Sequence, residues 1–116
     1  MHELGIVEYV ADEVLKLAKE NNVKKISTVT LTIGEVSGIV PSYLVDCWKY
    51  WVRDSEVLEG SSLLYETEKA ITYCTHCGKQ YETVKYGKTC PYCQSEDTYL
   101  LVGNHCEIKE IAVIDE

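Results

Sequence analysis

The 116-residue chain has 46% hydrophobic residues, only two prolines and a formal net charge of −8. That length suits one globular core and one small further module, and a dispersed negative charge argues against nucleic acid, whose binders offer phosphate a basic face. The apolar runs fall far short of the ~20 residues needed to span a bilayer. Glu3, Glu8 and Asp12 interrupt any signal-peptide pattern, so the expected location is the cytoplasm.

In chain order, Leu4, Val7, Val10, Ala11, Val14, Leu17 and Ala18 recur at helical spacing, which predicts an amphipathic helix from residue 4 to about 20. The dipeptide at Asn21 and Asn22 supplies its stop. In "KKISTVTLTIGEV", Val29, Leu31 and Ile33 alternate with threonines, as in a strand buried on one face. Gly34 and Gly38 bracket a loop, and Pro41 suits the first turn of a second helix, lined by Leu44, Val45, Trp48, Trp51 and Val52. The stretch "SLLYETEKAIT" reads as a second strand and "CEIKEIAVI" as a third. The alternation of the third slips between Ile108 and Ile111, which points to a bulge or a sheet edge.

Residues 73–104 differ in character. Glycine, lysine and tyrosine replace the aliphatic periodicity, and about thirty such residues cannot build an adequate core alone. The expected fold is therefore α+β: a small sheet of about three strands packed with two helices, carrying an inserted four-cysteine zinc-ribbon module. Residues 1–72 and 105–116 form the larger, discontinuous domain, and residues 73–104 form the insert.

Six cysteines could indicate a disulfide scaffold, but their spacing indicates a metal. Cys74-x-x-Cys77 and Cys90-x-x-Cys93 each place two thiolates at one tight turn, with Gly78 after the first pair and Pro91 inside the second. Two facing turns complete a tetrahedral S4 site for structural Zn²⁺ with no position open to substrate. An iron–sulfur or redox-active dithiol arrangement is the competing reading of the same four residues. With thiolates needed and no core of its own, the module should fold only as it binds metal. Its lysines, Lys79, Lys85 and Lys88, are balanced by Glu82, Glu96 and Asp97, so its tyrosines read as packing rather than as a base-stacking platform. Cys47 and Cys106, alone in apolar stretches, read as small buried hydrophobes.

The start, "MHEL", raises a second metal question. The Met1 amine, the His2 backbone nitrogen and the His2 imidazole can close adjacent five- and six-membered rings around one ion. Planar nitrogen donors of that kind suit Ni²⁺ or Cu²⁺ rather than Zn²⁺, and a terminal amine with a pKa near ~8 deprotonates cheaply. Glu3 or a donor from elsewhere would fill the remaining position. Taken alone, a histidine next to the first methionine is usually just a polar residue on a frayed tail. His76, within the first knuckle, reads as a surface residue or an exchanging ligand, and His105 as structural or solvent-facing.

Taken together, "MHEL", "IGEVSGIVP", "LEGSSLLYE", "CxxCG" followed by "CPYC", and the closing series Gly103, Ile108, Ile111 and Val113 resemble the HypA (HybF) family of nickel-insertion factors for nickel–iron hydrogenases. The resemblance spans essentially the whole chain in motif order. It implies a non-catalytic nickel metallochaperone with Ni²⁺ as cargo at Met1, His2 and Glu3, and structural Zn²⁺ at Cys74, Cys77, Cys90 and Cys93. It also implies a partner GTPase of the HypB type and a hydrogenase large subunit as acceptor, with urease a further destination in some relatives. The chain itself is expected to be a monomer or a weak homodimer, with no nucleic-acid or membrane partner. Gly5 stands where the family commonly has serine, and His105-Cys106 where an acidic residue and leucine are usual. A zinc-ribbon adaptor for another protein, with no nickel role, is the alternative, and a redox enzyme using its C-x-x-C pairs is a third reading.

Overall fold

The computed structural model describes residues 3–114. The chain divides into two compact units. One comprises the chain through Thr32, Ile39–Glu66 and the residues from Glu107 onward; the other comprises Ile33–Gly38 and Thr67–Cys106.

In the first unit, helix α1 (Glu3–Glu20) buries Ile6, Val7, Val10, Ala11, Val14 and Ala18, so the predicted stripe forms its inner face. Leu4 and Leu17, at the margins of that stripe, remain exposed. The helix stops at Asn22, whose φ of +55° is left-handed. There the Val23 N–H reaches back to the Ala18 carbonyl at 2.8 Å and the Asn22 N–H to that of Lys19 at 3.4 Å, satisfying two end carbonyls. Helix α2 (Pro41–Trp51) starts on Pro41, whose missing N–H costs nothing in a first turn. It passes into a 3₁₀ turn at Val52–Asp54.

Leu44, Trp48 and Val52 are buried, whereas Val45 is half-buried and Trp51 exposed, so the inner face of α2 is narrower than its sequence suggests. Trp48 is fully enclosed, and its indole N–H donates to the Ser61 hydroxyl at 3.0 Å. That bond removes the penalty of burying an indole N–H. Helices α1 and α2 pack on each other.

Strands β1 (Ile26–Gly34), β2 (Ser62–Glu68) and β6 (Cys106–Val113) form a sheet in the order β2-β1-β6. The central position of β1 explains why Thr30 is buried together with Val29 and Leu31, against strict alternation. The weak period of β6 is that of an edge strand.

The second unit holds a second sheet, which the sequence reading did not anticipate. Its order is β4-β3-β5, with β3 (Ile71–Cys74) antiparallel to β4 (Gln80–Glu82) and to β5 (Thr98–Val102). A single turn, α3 (Thr83–Tyr86), follows β4. The expected strand "SLLYETEKAIT" is thus two strands, β2 and β3, in different sheets, with Lys69 and Ala70 between them.

Backbone crowding explains the break. A Cβ on Gly103 would lie 2.4 Å from the Ala70 Cα, and one on Gly34 would lie 2.2 Å from the Gly103 carbonyl carbon. Only glycine permits that approach at either position. The turn "GEVSG" then locks it: the Glu35 carboxylate accepts the Ala70 N–H at 3.1 Å, the Glu35 N–H donates to Glu68 at 2.8 Å, and the Val36 N–H donates to Gly103 at 2.8 Å.

Candidate metal centre

The four paired cysteines converge, and two matching turns bring them together. In the first turn the Cys74 N–H donates to the Lys79 carbonyl at 3.0 Å, and the Gly78 N–H donates to the Cys74 carbonyl at 2.9 Å. The second repeats both bonds at the same offsets: Cys90 N–H to Ser95 at 2.9 Å, and Gln94 N–H to Cys90 at 2.9 Å. The residue following each second cysteine is left-handed, with φ +75° at Gly78 and +68° at Gln94. Glycine adopts that conformation freely, whereas at Gln94 it costs about 1–2 kcal/mol, so the second knuckle carries strain that the first avoids. Thr75, in the first turn, ties it to the segment just after the second, its N–H and hydroxyl both donating to the Asp97 carbonyl, at 2.9 and 2.8 Å.

The four Sγ atoms lie within 4.8 Å of one another. Cys74 and Cys93 are 3.5 Å apart through sulfur, and Cys77 and Cys90 are 3.6 Å apart. No disulfide is present among the six cysteines. Four sulfurs bound at ~2.3 Å around a tetrahedral ion stand about 3.8 Å from each other, so the set fits one Zn²⁺-sized centre. The space is too small for an iron–sulfur cluster, whose sulfides must sit between the cysteine-bound irons. Cys74 and Cys90 are buried while Cys77 and Cys93 are partly exposed, so the site is anchored on one side and open to solvent on the other.

The local electrostatics divides the thiols. At Cys90 burial opposes the thiolate, but the backbone N–H groups of Cys93 and Tyr92 and the thiols of Cys77 and Cys93 outweigh it, drawing the pKa down to about 7. At Cys93 the Ser95 N–H favours the thiolate, yet burial and the neighbouring Cys74, Cys90 and Cys77 push the pKa up to about 12. Cys77 is also raised: its Lys79 N–H bond is overcome by burial and by Cys90 and Cys74. Cys90 is thus drawn toward the thiolate while Cys77 and Cys93 are held toward the thiol, and a cation between the sulfurs would favour the charged form. Tyr81 closes the inner side, buried with Cys74 and Cys90, its hydroxyl donating to the Gly87 carbonyl at 2.9 Å. The backbone donors leave no trace in side-chain identity, so the sequence could not name them. Tyr81 was visible only as one tyrosine among several.

The other candidates are not in this cluster. Glu3 is the first residue of α1 and half-exposed, and Met1 and His2 lie outside the described residues. His76, between the first pair of cysteines, is exposed, as is His105. Among the described residues, the four cysteines are the one set of metal-ligating side chains drawn together. Cys47 and Cys106 are half-buried rather than enclosed, because Cys47 lies toward the outer side of α2 and Cys106 opens an edge strand.

A protein-family model described as "Hydrogenase/urease nickel incorporation, metallochaperone, hypA" matches residues 1–113. The chain belongs to the HypA family. Among curated relatives, the hydrogenase maturation factor HypA of Geobacter metallireducens is 33% identical over 113 residues, which cover 97% of this chain and 99% of that protein. The HypA of Aquifex aeolicus is 32% identical, with 96% of each chain covered. The solution structure of the nickel metallochaperone HypA from Helicobacter pylori matches with a TM-score of 0.76 at 25% identity, and each chain is fully covered. A second HypA solution structure matches with a TM-score of 0.78 at 26% identity. The α+β architecture with its four-thiol centre is therefore the HypA fold, and no helix among the described residues is long and apolar enough to cross a membrane.

Proposed function

We propose that this chain carries Ni²⁺ at its N-terminus and releases it for the assembly of nickel–iron hydrogenase, while Zn²⁺ held by Cys74, Cys77, Cys90 and Cys93 is structural. The observation that carries this reading is a family match that begins at residue 1 and runs to residue 113, so the stretch Met1-His2-Glu3 falls within it. Chemistry supports the division of labour. Four thiolates suit Zn²⁺ and leave it no vacant position, whereas amine, amide and imidazole nitrogens form the planar field that Ni²⁺ accepts and Zn²⁺ does not.

Placement supports it as well. Glu3 opens α1, where a carboxylate faces the positive end of the helix dipole and offsets its repulsion of a cation. A grip made of the first residues of a chain can open from one side, as a carrier that must release its ion requires. The chain acts by transfer and not by catalysis, in the cytoplasm, with a GTPase of the HypB type as partner and the hydrogenase large subunit as acceptor; urease is a second destination.

Calorimetric titration with Ni²⁺ of the zinc-loaded protein, with its own amino terminus free, tests this reading. His2→Ala and a variant with residues added before Met1 should each weaken nickel binding at least tenfold and leave zinc at one per chain. Unchanged nickel affinity in both variants removes the N-terminal site.

A further inference from the structure

The two cysteine turns are built alike but supported unequally. The first is the turn of a hairpin: β3 runs into Cys74 and β4 leaves from Gln80, with Tyr73 opposite Gln80, Thr72 opposite Tyr81 and Ile71 opposite Glu82. An antiparallel ladder therefore holds its neck closed. The second turn, residues 90–95, is entered from residues 87–89, which belong to no strand, and the chain joins β5 only at Thr98. Side chains fasten it instead. The Thr98 hydroxyl donates to the Lys88 carbonyl at 2.7 Å, and the Lys79 ammonium lies 4.7 Å from the centre of the Tyr92 ring, joining one turn to the other.

Strain falls on the same turn. Gln94 follows Cys93 directly and is left-handed at φ +68°, where a side chain is unfavourable, while the matching Gly78 at +75° has none. Cys93 is half-buried, whereas Cys90 is enclosed with Cys74 and Tyr81. We infer that Cys93 is the releasable ligand of the zinc centre and that Gln94 sets how readily it parts, an inference that rests on reading the four cysteines as a zinc site. When the second turn unwinds at position 94, the Gln94 N–H leaves the Cys90 carbonyl and the backbone returns to an ordinary φ. Cys93 then leaves as a thiolate, keeping its electron pair, and Cys74, Cys77 and Cys90 retain the ion. Cys77 lacks that incentive, because Gly78 carries no strain and the hairpin resists opening. The Lys79–Tyr92 contact opposes the movement.

Timed alkylation of the zinc-loaded full chain with N-ethylmaleimide, resolved by peptide mass spectrometry, tests the inference. Of the four ligands, Cys93 should react first. Gln94→Gly relieves the strain and should slow that reaction about fivefold, whereas Gln94→Ala keeps a Cβ and should leave the rate within about twofold. Lys79→Met removes the cation over Tyr92 and should speed the reaction about threefold. Gly78→Ala moves strain to the first turn, where an added Cβ meets nothing nearer than the Tyr73 hydroxyl at 3.7 Å, and should raise the reactivity of Cys77. First reaction at Cys74, Cys77 or Cys90, or equal rates in Gln94→Gly and Gln94→Ala, with one zinc still bound per chain, overturns the inference alone. A chain that takes up no zinc overturns the structural-zinc reading and this inference with it.

Discussion

The two units of this molecule solve one problem by different means. The first encloses Val7, Val14, Val29, Leu31, Leu44, Trp48 and Leu58, and apolar burial is enough to hold it. The buried cluster of the second around its cysteines is Cys74, Tyr81 and Cys90, with Cys77 and Cys93 packed against it. Where the first unit uses side-chain volume, the second has four sulfurs gathered within 4.8 Å, a set that could hold a metal ion. The stability of the first is thus expected to be a property of the polypeptide, and that of the second to depend on a bound ion.

Removing the ion should break the comparison most sharply. Chelation, or Cys90→Ser, should unfold the cysteine-bearing unit, since the free energy of structural zinc binding is about 10–16 kcal/mol and amounts to folding energy. In hydrogen exchange by NMR, the amides of β3, β4 and β5 should lose protection while those of α1 and α2 keep theirs. Equal loss in both units would mean that they share one cooperative core.

The converse lesion is Trp48→Ala. It empties the largest buried side chain and leaves the Ser61 hydroxyl without its donor, and it should cost about 3–5 kcal/mol in denaturant unfolding of the first unit. Zinc content should not change. A loss of zinc would show that the apolar core also supports the knuckles.

The smallest effect is expected at the Lys69–Glu82 ion pair, which is exposed on both sides. The lysine beside Glu82 lowers its pKa from the ordinary 4.5, and Glu82 raises that of Lys69 from 10.5. The carboxylate contributes stability above pH 4.5 that is lost as pH falls through its depressed value. The ammonium contributes stability below pH 10.5 that is lost as pH rises through its raised value. The pair therefore acts only between these limits, where solvent screens it. Lys69→Met should leave the thermal midpoint at pH 7 nearly unchanged; a shift of several degrees would mark the pair as a fastening of the second unit.

The same contrast governs what could be read in advance. The stripes of α1, the β-branched run of β1 and Pro41 of α2 are signals of burial and backbone preference, and the first unit follows them closely. The four-cysteine centre was legible because tetrahedral sulfur coordination demands that spacing. The second sheet was not legible: β3, β4 and β5 are only three to five residues long, and register there comes from the knuckle hydrogen bonds, not from apolar alternation. The break at Lys69 and Ala70 was hidden for a similar reason. It depends on Gly34, Glu35 and Gly103, residues distant in sequence whose backbones meet only after folding. At the N-terminus the pattern "MHE" offers an amine, an imidazole and a carboxylate, whose proposed role is probed with the ion itself.

The most direct probe is an optical and elemental titration of the zinc-loaded chain with Ni²⁺. Occupation of the leading residues predicts one equivalent bound with a weak ligand-field band, no thiolate-to-nickel charge transfer, and one zinc retained per chain. Intense sulfur-to-nickel absorption accompanied by zinc release would place the cargo in the cysteine centre and contradict the separation of roles between the two sites.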